Sequence, residues 1–203
     1  MYEPYTVINI RVYLDKEQPA YIGEEKLFHL LSTFSCPDNP DVEHFLLHNA
    51  IEFTKKDQSI TYLVFHSENV TLVGYFSLAL KPISICTTNI SKTMLKKLAR
   101  VSVFDKGANS YTTAAYLIAQ LGKNYSLPKE QQISGSVLLE IAMKIISNLK
   151  YSIGGKIEFL ECEDNAFLLD FYTKNHFKPF NIRMCNPDSE ADSQLLYQLL
   201  KII

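Results

Sequence analysis

The feature that most restricts the fold is a succession of segments in the second half of the chain. Ser134 to Leu149 (SGSVLLEIAMKIISNL) places Val137, Leu138, Ile141, Ala142, Ile145 and Ile146 at helical spacing, so it predicts an amphipathic helix with one apolar face. Before it, Ala114 to Leu121 (AAYLIAQL) is apolar enough for a buried central strand, although periodicity alone also allows a helix. After it, Gly154-Gly155 makes a break, and Lys156 to Cys162 (KIEFLEC) reads as a strand, mixing Ile157, Phe159 and Leu160 with Glu158 and Glu161. Asn165 to Asn175 then reads as a helix and Phe177 to Ile182 as a strand. Strands alternating with helices imply a parallel or mixed sheet, because a parallel return needs a crossover long enough to hold a helix. In such sheets a ligand usually sits beyond the carboxyl ends of the central strands.

The first half has another rhythm. Tyr5 to Tyr13 (YTVINIRVY) is rich in β-branched and aromatic residues and predicts a first strand. Glu24 to Phe34 predicts a short helix with Leu27, Leu30 and Leu31 on one face, and Cys36 to Pro40 is a turn cluster. From Asp41 a second helix follows, with Val42, Phe45, Leu46, Ala50 and Phe53 in phase and Asn39 or Asp41 as its cap. Ser59 to His66 and Thr71 to Leu80 predict a hairpin closed by Ser67 to Val70. Ser91 to Arg100 predicts a short basic helix, Asp105 to Tyr111 a loop, and Gly122 to Gln132, with Pro128, a polar loop. The tail Ser193 to Ile203 fits a helix or a final strand. The expectation is a single α/β (α+β) domain over residues 1–203, with a central mixed β-sheet flanked by helices on both faces.

Composition narrows the function classes. A length of 203 residues suits one domain. A formal charge of −2 gives no global basicity for nucleic acid, so any such contact needs a local patch. Cys36, Cys86, Cys162 and Cys185 are widely spaced, without a CxxC pair or a histidine cluster, so neither a metal site nor a disulfide framework is expected. Four reduced thiols in a cytoplasmic protein are the natural reading. The opening MYEPYTVINIRVYLDKE has no basic segment followed by an apolar block, and no apolar run approaches the roughly 20 residues of a membrane helix.

Three segments carry chemistry. Tyr116 to Gly122 leads through a polar loop to Gln131, Gln132, Ile133, Ser134, Gly135 and Ser136, and then into the long helix. A helix start has unpaired N–H groups and a partial positive charge, and small residues there let a phosphate approach; the same Ser-Gly-Ser also serves as a plain cap. Asn165 opens the next helix, a position where asparagine is a good cap. Phe171-Tyr172 lies on that helix and is followed by Asn175-His176-Phe177. Alone, Tyr172 fits an amphipathic surface position.

In this order and spacing the segments resemble the acetyl-CoA core of the GNAT superfamily. There a loop of the form Q/R-x-x-G-x-G/A precedes a helix, and a later helix carries N-x-x-A-x-x-(F/L)-Y followed by x-x-x-G-F. Asn165, Tyr172 and Phe177 fit. The departures are Glu130 at the first Gln/Arg position unless Gln131 serves one place later, Ile133 for the first glycine, Leu168 for the alanine, and His176 for the glycine before Phe177. In the first half, Phe34-Ser-Cys36, Val42 to Leu46, Ala50, Thr61 to Val64 and Val73 to Ala79 look like the entry of the GNAT branch that includes toxins of bacterial toxin–antitoxin pairs.

The resemblance implies an acetyl-CoA-dependent N-acetyltransferase working by direct attack of an amine on the thioester in a ternary complex. It implies that the Gln131 to Ser136 turn holds the CoA pyrophosphate, that backbone at Leu121 and Gly122 pairs with the pantetheine arm, that Asn165 contacts the pantetheine, and that Tyr172 is the general acid for the CoA thiolate. Glu140, Glu161 and Glu163 are carboxylates within the same stretch, with no base assigned among them. The acceptor is left open among a small-molecule amine, a protein amine and an aminoacyl-tRNA. For a tRNA, Lys92, Lys96, Lys97 and Arg100 form the one concentrated basic stretch, which serves equally as a solvated helix face. A homodimer and an antitoxin partner are compatible with the branch. The competing reading is a non-catalytic acyl-CoA sensor or an interaction module on the same fold.

Overall fold

A computed structural model describes residues 4–185 and 194–203. The chain forms two compact units, Met1–Ala79 with Ile118–Ile145 and Leu80–Leu117 with Ile146–Ile203. Each contains its own apolar core.

In the first unit, β1 (Tyr5–Asn9) pairs antiparallel with β2 (Ile60–His66), and β2 pairs antiparallel with the first half of β3 (Thr71–Cys86). β1 is shorter than the β-branched run predicts. The Asn9 side chain accepts the Arg11 N–H at 3.0 Å, and the chain turns into α1 (Arg11–Leu14) instead of extending to Tyr13. α2 (Glu24–Leu31) starts after Gly23, whose φ of 82° is the left-handed conformation glycine tolerates, and it buries Leu27 and Leu31. The second predicted helix is α3 (Pro40–His44), a π turn at Phe45–Asn49, and α4 (Ala50–Lys55). Of the two predicted caps Asn39 serves, its Oδ1 accepting the Val42 N–H at 3.1 Å. Val42, Phe45, Leu46 and Ala50 are buried with Leu63, Phe65, Leu72 and Tyr75. Phe53 keeps 37% of its surface exposed, because the wider π turn shifts the phase of the helical residues after it.

β5 (Ser110–Lys123) confirms the strand reading of Ala114 to Leu121 and joins β3, so the strand order here is β1-β2-β3-β5. α6 (Gly135–Ile153) begins in this unit and buries Leu138, Leu139, Ile141 and Ala142.

In the second unit the order is β3-β5-β6-β8-β7, with β6 (Ile157–Glu163), β7 (Lys178–Cys185) and β8 (Gln194–Ile202). β8 pairs antiparallel with both β6 and β7, so the tail is a strand; Ser193 lies outside the described residues. The predicted loop Asp105 to Tyr111 is the turn of a hairpin between β4 (Val103–Asp105) and β5. Asp105 Oδ1 accepts the N–H groups of Gly107 and Ala108 and closes it. α5 (Lys92–Leu98) is capped by Ser91, whose Oγ accepts the Met94 N–H, and buries Met94 and Leu98 against Ile83, Ile85, Phe159, Phe180 and Leu200. α6 ends in this unit at Gly154 and Gly155, with φ of 80° and 91°. The Tyr116 hydroxyl donates to the Gly154 carbonyl, and a Cβ at Gly155 would stand 2.9 Å from the Tyr116 ring. α7 (Ala166–Lys174) joins β6 to β7. The chain is thus a mixed α/β protein on a central mixed sheet with flanking helices, as the alternation of strands and helices predicts. No helix among the described residues is long and apolar enough to cross a membrane.

Candidate functional site

The predicted phosphate loop lies in the first unit, together with Leu121 and Gly122. Its anchor is Asn124, just past the end of β5 and only 1% exposed. Asn124 Nδ2 donates to the carbonyls of Thr33 and Leu72, while Oδ1 accepts from the N–H groups of Ser35 and Ser126. From there the chain runs through a short 3₁₀ turn at Lys129–Gln131, and Gln132 Nε2 donates to the Leu127 carbonyl at 2.8 Å. A cleft of about 210 Å³ lies beside this turn, lined by Tyr5, His66, Thr71, Glu130, Gln131 and Gln132.

Ile133 stands where the GNAT pattern has its first glycine. It is 1% exposed, and its Cγ2 lies 3.4 Å from where a Cβ on Gly74 would be. The side chain therefore packs inward, so only the backbone of Ile133 can meet a ligand. Ser134 caps α6, with its Oγ accepting the Val137 N–H at 3.2 Å and its carbonyl accepting the Leu138 N–H. The Gly135 and Ser136 amides are then first-turn groups without an intrahelical acceptor, next to side chains too small to cover them. Donors of this kind at the positive end of a 19-residue helix suit a phosphate. Gly122 has a packing reason to be glycine. A Cβ there would stand 2.5 Å from Val42 Cγ1 and 2.8 Å from Tyr75 Cε1.

The second unit holds Asn165 and Tyr172, at opposite ends of α7. Asn165 Oδ1 accepts the Phe167 N–H at 2.9 Å and the Leu168 N–H at 3.4 Å, so the capping reading holds and only its Nδ2 is left for another partner. Tyr172 packs edge-on to Phe171 and to Phe177, with ring centroids 5.0 and 6.2 Å away. Its side chain keeps some exposure, yet burial of the phenol, with a smaller effect from Cys162, raises it well above the ordinary tyrosine range. It is therefore protonated at neutral pH, as a proton donor must be.

The helix ends in a Schellman motif that explains the Gly-Phe phrase. The Phe177 N–H donates to the Tyr172 carbonyl and the His176 N–H to the Thr173 carbonyl, both at 3.0 Å. His176 occupies the left-handed position with φ of 71°, where a non-glycine side chain costs of order 1 kcal/mol. Phe177, fully buried, closes the motif against Tyr172.

Of the remaining candidates, Lys92, Lys96 and Lys97 are exposed on α5 and Arg100 is exposed just after it. Glu140 is exposed, and Glu161 is held by Arg183 and by Gln198 Nε2, the latter at 2.6 Å. Two residues had no signal in the sequence: Asn124, and Glu158, which is 2% exposed with Oε2 lacking a partner. A lone asparagine after a strand and a glutamate in an apolar strand each read as surface residues until the packing is known. Among the described residues no three His, Cys, Asp or Glu side chains cluster as metal ligands.

Solved structures share this architecture. AtaT complexed with acetyl-methionyl-tRNAfMet superposes with a TM-score of 0.62 at 16% identity, over 95% of this chain and 93% of that one. A Tyr→Phe variant of the AtaT toxin bound to the C-terminus of the antitoxin AtaR and acetyl-CoA gives 0.59 at 14% identity, over 98% and 93%. A Tyr→Phe variant of KacT gives 0.61 at 16% identity, over 97% and 95%. These are GNAT-fold toxin acetyltransferases. This chain has the GNAT fold. The similarity runs over nearly its whole length, including the first-half phrases that resemble the toxin branch. No protein-family profile and no curated protein sequence matches it.

Proposed function

We propose that the protein is an acetyl-CoA-dependent N-acetyltransferase. The observation that carries this reading is the open start of α6. Ile133 turns into the core, Ser134 caps the helix, and the Gly135 and Ser136 amides remain as donors where the GNAT fold places its pyrophosphate loop. The same observation weakens the interaction-module alternative, which needs no CoA contact, and leaves the acyl-CoA sensor to be separated by turnover.

In the proposed reaction the neutral amine attacks the thioester carbonyl of acetyl-CoA in a ternary complex, and a backbone N–H near Leu121 stabilises the oxyanion. As the carbon–sulfur bond breaks, the Tyr172 phenol gives its proton to the departing thiolate and the acetylated nitrogen loses one to solvent. Leu121 and Gly122 offer backbone partners to the pantetheine, Gln131 to Ser136 take the pyrophosphate, and the Asn165 Nδ2 group is its remaining polar contribution. For the acceptor, an aminoacyl-tRNA has specific support. AtaT, of the same fold, has been solved with an acetylated aminoacyl-tRNA, and the three lysines of α5 lie outside every ion pair found among the described residues.

The test is thiol release from acetyl-CoA with free amines, peptides and aminoacyl-tRNA as acceptors, at low and high salt. Amine-dependent release supports transfer. Tight CoA binding with no release from any acceptor refutes it in favour of the sensor. Release with peptides alone refutes the tRNA acceptor.

A further inference from the structure

The second unit contains a basic hollow that shares only Lys97 with the lysine face proposed above for a tRNA acceptor. It has a volume of about 360 Å³, with Leu200 and Ile202 in its floor and Lys97, Lys178, Lys201 and His176 around them. No acidic residue is among those lining it, although Glu158 stands opposite Lys201 in the β6–β8 register and the chain as a whole carries a net charge of −2. It is remote from Asn165. Ile202 pairs with Ile157 at the start of β6, whereas Asn165 follows Glu163 at the other end of that strand, about 20 Å along it at 3.3 Å per residue.

His176 points to a use for this hollow. It holds the left-handed position of the Schellman motif, where glycine would be free of strain, and it is among the residues lining the cavity. Lys201 is fixed in place by Phe177, with Nζ 5.6 Å from the ring centroid. Three ammonium groups and an imidazole around an apolar floor match an organic molecule carrying phosphate at one end and an apolar body at the other. An RNA backbone instead tracks an open groove and needs several phosphates in succession.

We propose that this hollow binds a small phosphorylated organic molecule, at a site separate from the acetyl donor. The experiment is calorimetric titration of the full chain with ADP, inorganic pyrophosphate and a short oligouridylate, each with and without saturating CoA. The expected result is saturable ADP binding that persists with CoA present and is tighter than pyrophosphate. Lys178→Met should weaken it about tenfold, as the loss of one charge-assisted contact does, with acetyl-CoA affinity unchanged. His176→Gly should weaken ADP while raising the melting temperature, a pairing that a purely structural histidine would not give. The proposal is overturned by absence of saturable binding, by binding that disappears with CoA, by pyrophosphate binding as tightly as ADP, by oligouridylate binding more tightly than ADP, or by wild-type affinity in Lys178→Met. Because Lys178 lies outside the donor segments, loss of acetyl transfer with ADP binding retained would count against the proposed function alone.

Discussion

Replacing Glu158 by glutamine should stabilise the protein at alkaline pH and leave it unchanged in mild acid. Glu158 is 2% exposed on β6, and no partner reaches its Oε2. Burial raises the carboxyl from 4.5 to about 7, against smaller opposing effects of Lys201 and Lys150. The native state therefore binds a proton more readily than the unfolded chain. Its contribution to stability is complete below the unfolded value of 4.5 and is lost as pH rises through about 7. At 1.36 kcal/mol per pKa unit, the ionised carboxylate costs of order 3 kcal/mol above that window. Urea unfolding of wild type and Glu158→Gln at pH 4 and pH 8.5 isolates this contribution, since every other titrating group cancels between the two proteins. With a slope of about 2 kcal/mol per molar urea, the midpoint of the variant should exceed wild type by about 1.5 M at the higher pH and nearly coincide at the lower. Equal midpoints at pH 8.5, or the same gap at both pH values, would show that the carboxylate is solvated or paired and would refute the reasoning.

Tyr172→Phe should lower turnover about a hundredfold or more while leaving acetyl-CoA affinity nearly intact, measured by initial rates beside a binding titration; unchanged turnover removes the phenol from the acid role. Gly122→Ala should destabilise by about 1–3 kcal/mol, because its Cβ would stand 2.5 Å from Val42 Cγ1, and adding Val42→Ala should recover part of the loss in the same urea assay. Asn165→Ala should cost about 1 kcal/mol of stability by removing the α7 cap, and a melting curve identical to wild type would contradict the capping geometry. Asn124→Ala should cost about 3 kcal/mol, since it strands partners on two segments, the buried Leu72 carbonyl among them; a much smaller effect by denaturant titration would mean that water replaces the side chain.

The fold is largely legible where apolar periodicity is long. α6 and the strands around it stand out because each repeats its pattern over several residues. The failures are local. β1 stops early because one asparagine side chain takes the Arg11 amide, and the β-branched residues of that run do not show it. The Asp105 turn reads as a loop because β4 has three residues, too few for a period. Phe53 leaves the apolar face because a π turn inserts a residue, which no spacing rule anticipates. Around the candidate site, the order of Gln131 to Ser136, Asn165 and Tyr172 is visible in the sequence, but two of the four departures from the GNAT pattern, Ile133 and His176, need coordinates to explain. Ile133 is accommodated because its side chain is buried in the core, and His176 because the Schellman motif holds it at positive φ. Glu158 is hidden because its surroundings come from β8 and α6, far apart in sequence.

Asn124 also bears on how the protein is made. It fastens Thr33, Ser35 and Leu72, all of which leave the ribosome well before it does. The unit they belong to resumes only at Ile118, after the whole of residues 80–117 has been synthesised. At about 5–20 residues per second, the N-terminal segment waits for several seconds without the strand and the amide that lock it. Vectorial synthesis therefore cannot complete the first unit before much of the second exists. During that interval β3 lacks β5 as its neighbour, and a helper that covers its open edge would act early in translation, before residue 124 arrives.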